Sequence, residues 1–450
     1  MLSRPLGEIA SFVNGDRSSN YPSGTDFVPV GVPFVSAADL ENGAVDWAST
    51  RKISEAAFDR LRSGKTLIGD LLFCLRGSLG KVARVQGRDR AAIASSLVIV
   101  RAKEAVLQDY LFYVLSGPVG QRAAEILNNG SVQGNISVRD LQRTPVPLPS
   151  LAEQKAIVEV LGALEDRIEL NQRMNKTLEK IAQAIFRDWF VEFGPVRRKL
   201  AGVSDATKIL GGLVPGENRA AELAQLFPSK FSPDGAPENW SRAFLGDYFA
   251  LERGLSYKGE FLADEGNPMI NLGCFLGRGR FSNESLKRYV GEYRPRHTVS
   301  IGDLVIANTD MTQDRVILGS PHIVEDCPDT QPLLFSHHVY AARPRSPGAE
   351  AWVQFFFYHL LQPAFRERAE GFATGTTVLA LPKDAIERFE FVMPSEPLYL
   401  EFREIVGPLR ARHAANQREC VTLAEARDYL IPRLMSGEVK VRDVARGLAA

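Results

Sequence analysis

The longest regular pattern of apolar positions in the chain is helical. Between residues 152 and 190 these positions recur in alternating steps of four and three, with no internal proline. Such a heptad seam is typical of a helix that packs lengthwise on another helix. Ser150 precedes the pattern and Glu153 follows three residues later, which predicts a capping box at the start of the helix. The seam positions are Ile157, Leu161, Leu164, Ile168, Asn171, Asn175, Leu178, Ala182 and Ile185.

A second, more polar seam lies later in the chain. Its positions are Phe402, Val406, Leu409, His413, Asn416, Cys420, Leu423, Arg427 and Leu430. Pro408 lies in the first third of this seam. Because an internal proline removes one helical hydrogen bond and clashes with the preceding turn, we predict that the second helix breaks or kinks there.

The regions that precede the two helices contain short apolar runs, punctuated by glycine, asparagine and aspartate. Residues 71–75, 97–100 and 304–306 are examples, and turn residues around such runs are typical of short strands. Proline-rich segments at 144–150 and 391–395 then lead into the helices. Each of these regions is therefore predicted to mix strands with shorter helices.

The chain repeats itself. The residues YLFYVL at 110–115 correspond to FFFYHL at 355–360 with an offset of 245, and the same offset places Asn171 on Asn416. No gap is needed over some 80 residues. Further upstream the offset drifts, although Gly69-Asp70 still corresponds to Gly302-Asp303. The sequence is thus a tandem duplication of one unit of about 200 residues.

We predict an α+β fold with a pseudo-two-fold internal repeat, in which two long antiparallel coiled-coil helices separate two mixed α/β domains. The helices should be antiparallel because the chain returns through the second domain before the second helix begins. The predicted segments are a first mixed domain at 1–148, a first long helix at 149–193, a Gly- and Pro-rich linker at 194–236, a second mixed domain at 237–395 and a second long helix at 396–441.

Two asparagines interrupt the apolar seams near the middle of each helix. Asn171 and Asn416 would meet in an antiparallel pair, and a buried asparagine fixes register at a cost in stability. The alternative is that both side chains face solvent. We favour a register-setting role for this pair.

Composition bounds the class of protein. Lys+Arg and Asp+Glu number 54 each, so no overall charge excess indicates a polyanionic partner. The four cysteines form no C-x-x-C pair, which favours a reducing compartment over a disulfide framework or a structural zinc site. No signal peptide and no apolar stretch of about 18 residues is evident. We therefore expect a cytoplasmic protein without a membrane span.

No catalytic or metal-binding constellation emerges from the sequence. There is no [DN]-P-P-[FY] tetrapeptide, and no Gly-rich turn suited to AdoMet or a dinucleotide. Gly64-Lys65-Thr66 lacks the upstream glycine of a P-loop, since Asp59 stands there. His337 and His338 are adjacent, but neighbours on a strand point to opposite faces. We expect no catalytic residue, metal or cofactor in this chain.

Both mixed regions carry local positive charge. Residues 51–103 hold twelve basic and four acidic side chains. In the second copy, six basic residues face only Glu284 and Glu292. These six are Arg278, Arg280, Lys287, Arg288, Arg294 and Arg296. Such clusters are the footprint of phosphate binding, and a solvated face is the alternative. Their recurrence in both copies favours nucleic acid.

Polar loops at corresponding places of the two copies differ in their chemistry. Arginine and lysine suit guanine edges, asparagine and glutamine suit adenine edges, and serine or threonine suits either. Two readers of different short DNA sequences would look like this, although any one loop could be an ordinary polar turn. The candidate DNA-contacting residues are Arg76, Ser78, Lys81, Arg84, Ser131, Gln133 and Asn135 in the first copy, and Arg278, Arg280, Asn308, Thr309, Asp310, Thr312, Gln313, Thr374, Thr376 and Thr377 in the second.

Taken together, the pattern resembles the specificity (S) subunits of type I restriction–modification systems. The resemblance is carried by LAEQKAIVEVLGALEDRIELNQRMNKTLEKIAQAIFRDWF at 151–190, PENW at 237–240 and DYLIPRLMSGEVKV at 428–441. It implies that each mixed region is a target-recognition domain for one half of a bipartite double-stranded DNA site. It also implies that the helices set the gap and dock two methyltransferase (M) subunits, which would hold AdoMet, while restriction (R) subunits join for cleavage.

Two other classes of protein compete with this interpretation. A fused restriction–methylation enzyme would need a methyltransferase domain that these motifs do not provide. A stand-alone bivalent DNA-binding regulator would need no partner. Ile181, Phe186, Trp189 and Phe190 give the first helix an apolar face, which a partner or the adjacent domain could cover.

Overall fold

The computed structural model of the chain describes residues 2–88, 90–128, 134–214, 216–311, 315–327, 330–375 and 378–442. It divides into two compact units, each built around parts of both long helices. The first unit comprises Met1–Arg173 and Gln417–Ala450, and the second Met174–Asn416. Within the described residues, no helix has the length and apolar character needed to cross a membrane.

In the described part of the first unit, three sheets form the mixed domain. Their orders are β2-β11-β8-β9-β6-β5, β10-β4-β7-β3 and β1-β12. The strands are β1 (Ser3–Pro5), β2 (Ala10–Asn14), β3 (Phe27–Val28), β4 (Val32–Val35), β5 (Leu40–Glu41), β6 (Ala44–Val45), β7 (Lys52–Ile53), β8 (Leu71–Cys74), β9 (Val82–Arg84), β10 (Ala92–Ile93), β11 (Leu97–Ala102) and β12 (Pro145–Pro147).

The central strands of this domain are buried on both faces. Leu71 and Phe73 of β8 pack in one apolar cluster, and the alternate residues Leu72 and Cys74 pack in another on the opposite face. This double burial explains why β8 is an unbroken apolar run. The helices of the domain are α1 (Leu6–Ile9), α2 (Glu55–Arg60), α3 (Gln108–Ser116), α4 (Pro118–Ile126) and α5 (Val138–Leu141).

The mixed domain of the second unit has two larger sheets, β14-β25-β21-β23 and β15-β19-β16-β24-β20, and three strand pairs, β13-β27, β17-β18 and β22-β26. The strands are β13 (Ser241–Phe244), β14 (Phe249–Arg253), β15 (Leu262–Ala263), β16 (Asn267–Ile270), β17 (Phe275–Gly277), β18 (Arg280–Phe281), β19 (Lys287–Tyr289), β20 (Thr298–Val299), β21 (Leu304–Ala307), β22 (Thr309–Asp310), β23 (Pro321–Ile323), β24 (Leu333–Phe335), β25 (Val339–Pro344), β26 (Leu379–Ala380) and β27 (Glu390–Met393).

The two domains repeat the same core topology, as the sequence repeat predicts. The order β2-β11-β8-β9 of the first unit recurs as β14-β25-β21-β23 in the second. An ion pair between the Gly-Asp turn and the neighbouring strand recurs as well. Arg101 Nε lies 2.6 Å from Asp70 Oδ1, and Arg343 Nη1 lies 3.0 Å from Asp303 Oδ2. The Gly-Asp turn shared by the two copies thus holds an arginine of the neighbouring strand.

The segment at 194–236, predicted to be a linker, contains packed helices. They are α7 (Gly194–Leu200), α8 (Ala206–Ile209) and α9 (Glu217–Gln225). Val196, Leu210 and Leu223 are buried in the main core of the second unit, together with Trp189. Glycine and proline punctuate these helices, but the apolar residues between them supply enough contacts to fold the segment against its unit. The remaining helices of the domain are α11 (Val353–Leu360), α12 (Pro363–Phe372) and α13 (Lys383–Glu387), preceded by α10 (Leu245–Tyr248).

The first long helix, α6, runs over Leu151–Phe186 and continues as a π-helical turn at Arg187–Val191. The predicted capping box is confirmed. The Glu153 carboxylate accepts from the Ser150 hydroxyl at 2.9 Å and from the Ser150 amide at 3.0 Å, and these bonds lower the pKa of Glu153. The apolar face predicted for this helix is mostly covered. Its aromatic residues, Phe186, Trp189 and Phe190, are buried in the core of the second unit.

The second long helix, α14, runs over Glu396–Ser436 without interruption. Of the two predicted outcomes at Pro408, the break is therefore wrong, and the kink stays a prediction. A proline inside a helix costs about 3 kcal/mol. Apolar contacts on both sides of Pro408 offset that cost, because Phe402 and Val406 are fully buried in the core of the second unit and Leu409 packs against it.

Within each unit the two helices are antiparallel. In the first unit Leu161 of α6 shares a cluster with Ile431 of α14, while further along α6 the Ile168 carbonyl meets Cys420 Sγ at 3.7 Å. In the second unit the Asn175 amide meets the His413 carbonyl, and further along α6 Phe186 meets Phe402. The antiparallel prediction is confirmed.

The asparagines in the seams are buried, so the solvent-facing alternative is wrong. Asn171 and Asn416 both have no exposed surface. Asn416 Nδ2 donates to Asn175 Oδ1 at 2.9 Å, and Asn175 Nδ2 donates to the His413 carbonyl at 3.2 Å. Among the described residues, the hydrogen-bond partner of Asn416 is therefore Asn175. The expected partner was Asn171, which precedes Asn175 by one position in the heptad seam. The register-setting role stays a prediction.

Candidate nucleic-acid interface

Two of the predicted polar loops meet in the first unit. Arg76, just beyond the end of β8, forms a backbone bridge with Asn135, and its Nε donates to Asn135 Oδ1 at 2.8 Å. The Ile136 amide donates to the Leu75 carbonyl at 2.9 Å, which fastens the second loop to the strand. Ser131 and Gln133 lie outside the described residues.

The first of these loops is closely held and exposes its polar side chains. Gly80 has a φ of +77°, and a side chain there would lie 2.8 Å from the Ala124 Cβ. Gln121 Nε2 donates to the Gly80 carbonyl at 3.0 Å, which fixes the loop on α4. Ser78 and Lys81 are exposed beside Arg76. A rigid loop that presents a guanidinium and a hydroxyl can donate hydrogen bonds to base edges.

The second unit repeats this pairing of loops. Thr309 of β22 pairs with Ala380 of β26. Thr309 follows Arg76 by the upstream offset of the repeat, and Ala380 follows Asn135 by 245 residues. Thr374, which is exposed, bridges to Ala380 in turn. The pairing of corresponding loops is therefore a property of both copies.

Three predicted contacts of the second unit are buried instead of presented. Asp310 Oδ2 accepts from the Ile317 amide at 2.9 Å and from the Leu318 amide at 3.3 Å. Thr309 Oγ1 lies 2.8 Å from His338 Nδ1. Asn308 Nδ2 donates to the His337 carbonyl at 3.1 Å. Groups that are buried and hold their own loop are not presented to a base edge in this conformation. The DNA contacts expected of Asn308, Thr309 and Asp310 stay predictions that this conformation does not favour. Thr312, Gln313, Thr376 and Thr377 lie outside the described residues.

Arg84 is also engaged within the protein. Its Nη1 lies 3.2 Å from Glu165 Oε2 of α6, and its Nε lies 3.4 Å from Asp109 Oδ1. The guanidinium stacks on Phe112, 3.7 Å from the ring centroid. These contacts use the charge and the face of the side chain, so the guanidinium is not presented to DNA in this conformation. The DNA contact expected of Arg84 stays a prediction.

Arg278 and Arg280 lie on a tight hairpin between β17 and β18. Arg278 has a φ of +54°, and the following Gly279 one of +77°. Both arginines are exposed, and Arg280 Nη2 donates to the Leu276 carbonyl at 2.9 Å. The two positive φ values are typical of a two-residue turn that joins antiparallel strands. The turn projects the positive charge of both side chains outward.

Arg278 also lines a basic cavity of about 720 Å³ in the second unit. Lys180, Arg187 and Arg366 contribute further positive charge, and Glu370 is the acidic residue of the lining. Arg366 is occupied by Glu370, since its Nε lies 2.9 Å from Glu370 Oε1. Arg278 and Lys180 remain exposed at the cavity. This arrangement can attract a phosphate group.

A cluster of polar and aromatic side chains lies beside Thr309. Lys287 Nζ donates to the Tyr257 hydroxyl at 2.8 Å, and the rings of His337 and His338 lie 3.9 Å apart. Burial, followed by the neighbouring positive charges, lowers the pKa of His338 to about 4. In the sequence, Lys287 stood out as a member of the basic run and His337 and His338 as adjacent histidines, but no pattern marked Tyr257. The fold brings the loop that holds Tyr257 and the turn that holds His337 and His338 to Lys287 of β19.

Metal and thiol chemistry finds no centre in the described part of the chain. No group of three or more histidine, cysteine, aspartate or glutamate side chains there could hold a metal ion. Cys74, Cys274, Cys327 and Cys420 are free thiols. Burial raises the pKa of Cys274 to about 11, which makes it an inert core residue.

Comparison with known proteins gives a consistent set of relatives. Residues 3–180 match the family model of the type I restriction modification DNA specificity domain. The type I restriction enzyme HindI specificity subunit of Haemophilus influenzae is 24% identical, over 94% of this chain and 98% of that protein. The MjaIX specificity subunit of Methanocaldococcus jannaschii is 23% identical, over 92% of this chain and 88% of that protein.

A solved structure shares the fold. The S subunit of the type I restriction–modification system of M. genitalium superposes with a TM-score of 0.53, at 17% sequence identity. The superposition covers 96% of each chain.

Proposed function

We propose that this chain is a specificity subunit of a type I restriction–modification system and that it reads a bipartite double-stranded DNA site. It acts as a non-catalytic subunit that supplies DNA sequence recognition to a restriction–modification complex. The mixed domain of the first unit would read one half-site, and that of the second unit the other. The observation that carries this proposal is the pairing of two polar loops, Arg76 with Asn135 and Thr309 with Ala380, at corresponding places in both copies.

The chemistry of the exposed groups supports readout by hydrogen bonds. In the first unit Arg76 and Ser78 can donate to base edges beside Asn135, and Lys81 can contact phosphate. In the second unit the exposed candidates are Thr374 and the hairpin arginines. Since the two sets differ, the two half-sites should differ in sequence.

The long helices supply surfaces for partner subunits. Leu170 of α6 and Val421 and Tyr429 of α14, all large and exposed, lie in the first unit, and Ile181 is exposed in the second. Large apolar side chains on an exposed helix are suited to a protein interface. We propose that two methyltransferase (M) subunits dock there and hold AdoMet, and that restriction (R) subunits join that assembly. The length of the helices would then set the gap between half-sites.

The test is a map of DNA methylation in the source cell, with and without the gene for this chain. The expected result is the loss of methylation at one motif made of two short half-sites around a fixed gap. Exchange of residues 1–148 for the corresponding domain of a relative should change one half-site only. If methylation is unchanged in cells that express active M subunits, the proposal fails and a stand-alone DNA-binding regulator becomes the better interpretation.

A further inference from the structure

Each unit joins its mixed domain to a long helix through an ion pair, and the charges are exchanged between the two units. In the first unit the cation is Arg84 of the domain and the anion is Glu165 of α6, 3.2 Å apart. In the second unit the anion is Glu325 of the domain, which pairs with Arg410 of α14. Glu165 and Arg410 are 245 residues apart and occupy the same position of the repeat.

The surroundings of the two ion pairs correspond. Phe112 and Phe357, also 245 residues apart, each lie beneath a guanidinium. The Arg84 Cζ is 3.7 Å from the Phe112 centroid, and the Arg410 Cζ is 4.7 Å from the Phe357 centroid. The same aromatic ring therefore supports an arginine of the domain in one unit and an arginine of the helix in the other.

A neighbouring tyrosine shows a consequence of the exchange. Tyr113 donates to Glu165 Oε2 at 2.8 Å. Its repeat equivalent, Tyr358, lies beside Arg410, which offers only donors. Among the described residues the Tyr358 hydroxyl therefore finds no acceptor. The acceptor that Glu165 offers to Tyr113 is missing at the equivalent place on α14.

Both ion pairs are shielded from water. The side chains of Arg84 and Glu165 are 17% and 26% exposed, and those of Arg410 and Glu325 are 13% and 21% exposed. Screening by salt is weaker for such partly buried charges than for surface charges. A like-charge contact at either place would therefore be unfavourable.

The apolar contacts around the pairs do not distinguish the two docking sites. Leu161 of α6 and Val406 of α14 are repeat equivalents, and both are fully buried against their own domain. Ile157 and Phe402 correspond in the same way. Because apolar burial is non-directional, either domain fold could cover either stretch of helix. Charge is the feature that differs in sign.

We propose that these exchanged ion pairs assign each mixed domain to its own segment of helix. A first domain docked at Arg410 would place Arg84 against another arginine. A second domain docked at Glu165 would place Glu325 against another glutamate. Two repulsive contacts would replace two attractive ones, which is how related interfaces gain specificity. The four residues are positioning residues, and the inference does not depend on which DNA is read.

The first test is a charge swap in the full-length chain, followed by amide hydrogen exchange over α11 and residues 402–410 without DNA. Arg410→Glu and Glu325→Arg alone should each speed exchange there roughly tenfold, and the double variant should recover to within about twofold of the parent. Arg412→Glu makes the same charge change at an exposed position of α14 and is the matched control. No recovery in the double variant, or an equal effect of the control, overturns the proposal.

The second test separates assignment from simple stability. In a full-length chimera, residues 241–393 are replaced by a second copy of residues 2–148, which brings an Arg84 side chain to Arg410. There Arg410→Glu should slow exchange at the domain–helix contact roughly tenfold, whereas it speeds exchange in the parent chain. The proposal is overturned if Arg410→Glu changes the exchange rate in the same direction in the chimera and in the parent chain. It is also overturned if the chimera fails to fold equally with and without Arg410→Glu.

Discussion

Arg76 and Thr309 occupy equivalent places in the repeat, yet only Arg76 presents its side chain to solvent. In the second unit β26 pairs with β22 and covers Thr309, and His338 takes up its hydroxyl. Residue type alone suited both positions to base readout. Burial decides between them, and it leaves Arg76 as the best candidate for a direct base contact.

We expect Arg76→Ala to weaken binding of the assembled complex to its DNA site by about 1–3 kcal/mol, because a bidentate contact to guanine has that worth. The effect should vanish on duplexes whose first half-site is scrambled. Arg143→Ala removes an exposed arginine elsewhere in the same domain and should change the Kd little. An equal loss on specific and scrambled duplexes would mean that Arg76 contacts phosphate and reads no base.

We expect Asp310→Ala to act on folding and not on base preference. The carboxylate accepts two backbone amides of the loop at residues 317–318, and loss of such charged acceptors costs about 1–3 kcal/mol. Thermal unfolding measures this loss. The recognised sequence, read from methylation patterns at permissive temperature, should stay the same. A changed half-site with unchanged stability would restore Asp310 as a reader.

At the scale of elements, α6 shows where the sequence suffices. Its heptad spacing and the Ser150–Glu153 box are local signals, and the structure confirms both. Pro408 shows the limit of local reasoning, because the burial of Phe402 and Val406 outweighs its cost. The segment at 194–225 is similar. Its glycines and prolines suggested a linker, but its helices depend on contacts with Trp189 that only the folded unit provides.

The candidate interface, too, is only partly predictable from the sequence. The positions of the polar loops follow from the repeat, but the pairing of Arg76 with Asn135 and its counterpart in the second unit emerge only in the fold. The orientation of a side chain depends on neighbours distant in the chain. Arg84 is held by Glu165, 81 residues away, and Lys287 meets Tyr257 across 30 residues. Neither contact leaves a local signal.

The centre of the helix pair leads to a further prediction. In the second unit Asn175 bonds both Asn416 and the His413 carbonyl. The repeat equivalent of Asn175 is Cys420, whose Sγ contacts the Ile168 carbonyl in the first unit. Among the described residues, the two amide atoms of Asn171 have no hydrogen-bond partner of good geometry, and the Cys420 thiol is the polar group beside them. Of the two hydrogen bonds that Asn175 makes in the second unit, only the contact with a backbone carbonyl has an equivalent in the first unit, at Cys420.

We expect Cys420→Asn to complete this arrangement and to raise the free energy of unfolding by about 1 kcal/mol, the net worth of a typical hydrogen bond. The measurement is the denaturation midpoint of the full-length chain. Cys420→Leu is the control, because it fills similar space but offers Asn171 no partner. If both variants shift the midpoint equally, the polar pair contributes nothing specific.

At the scale of the whole molecule, the histidines are distributed unequally over the two units. All six histidines lie after residue 296, and they all belong to the second unit. Burial lowers the pKa of His359 to about 3, and its ring packs on Phe186 and Phe355 within the aromatic core. In the unfolded chain this histidine has a pKa near 6.5. Between about pH 3 and pH 6.5, His359 is therefore neutral in the folded state and protonated in the unfolded state.

This difference predicts that the second unit loses stability in mild acid while the first does not. The folded-state pKa of His359 lies below the unfolded value, so its stabilising contribution is complete above about pH 6.5 and is lost as the pH falls toward 3. At pH 5 the loss should be about 2 kcal/mol for this residue. Hydrogen exchange at pH 7.5 and pH 5.0, corrected for intrinsic rates, should show the change in the second unit. His359→Phe should reduce it, since a phenyl ring fits the same aromatic contacts without a titratable group. Equal losses in both units, or an unchanged pH dependence in His359→Phe, would contradict this account.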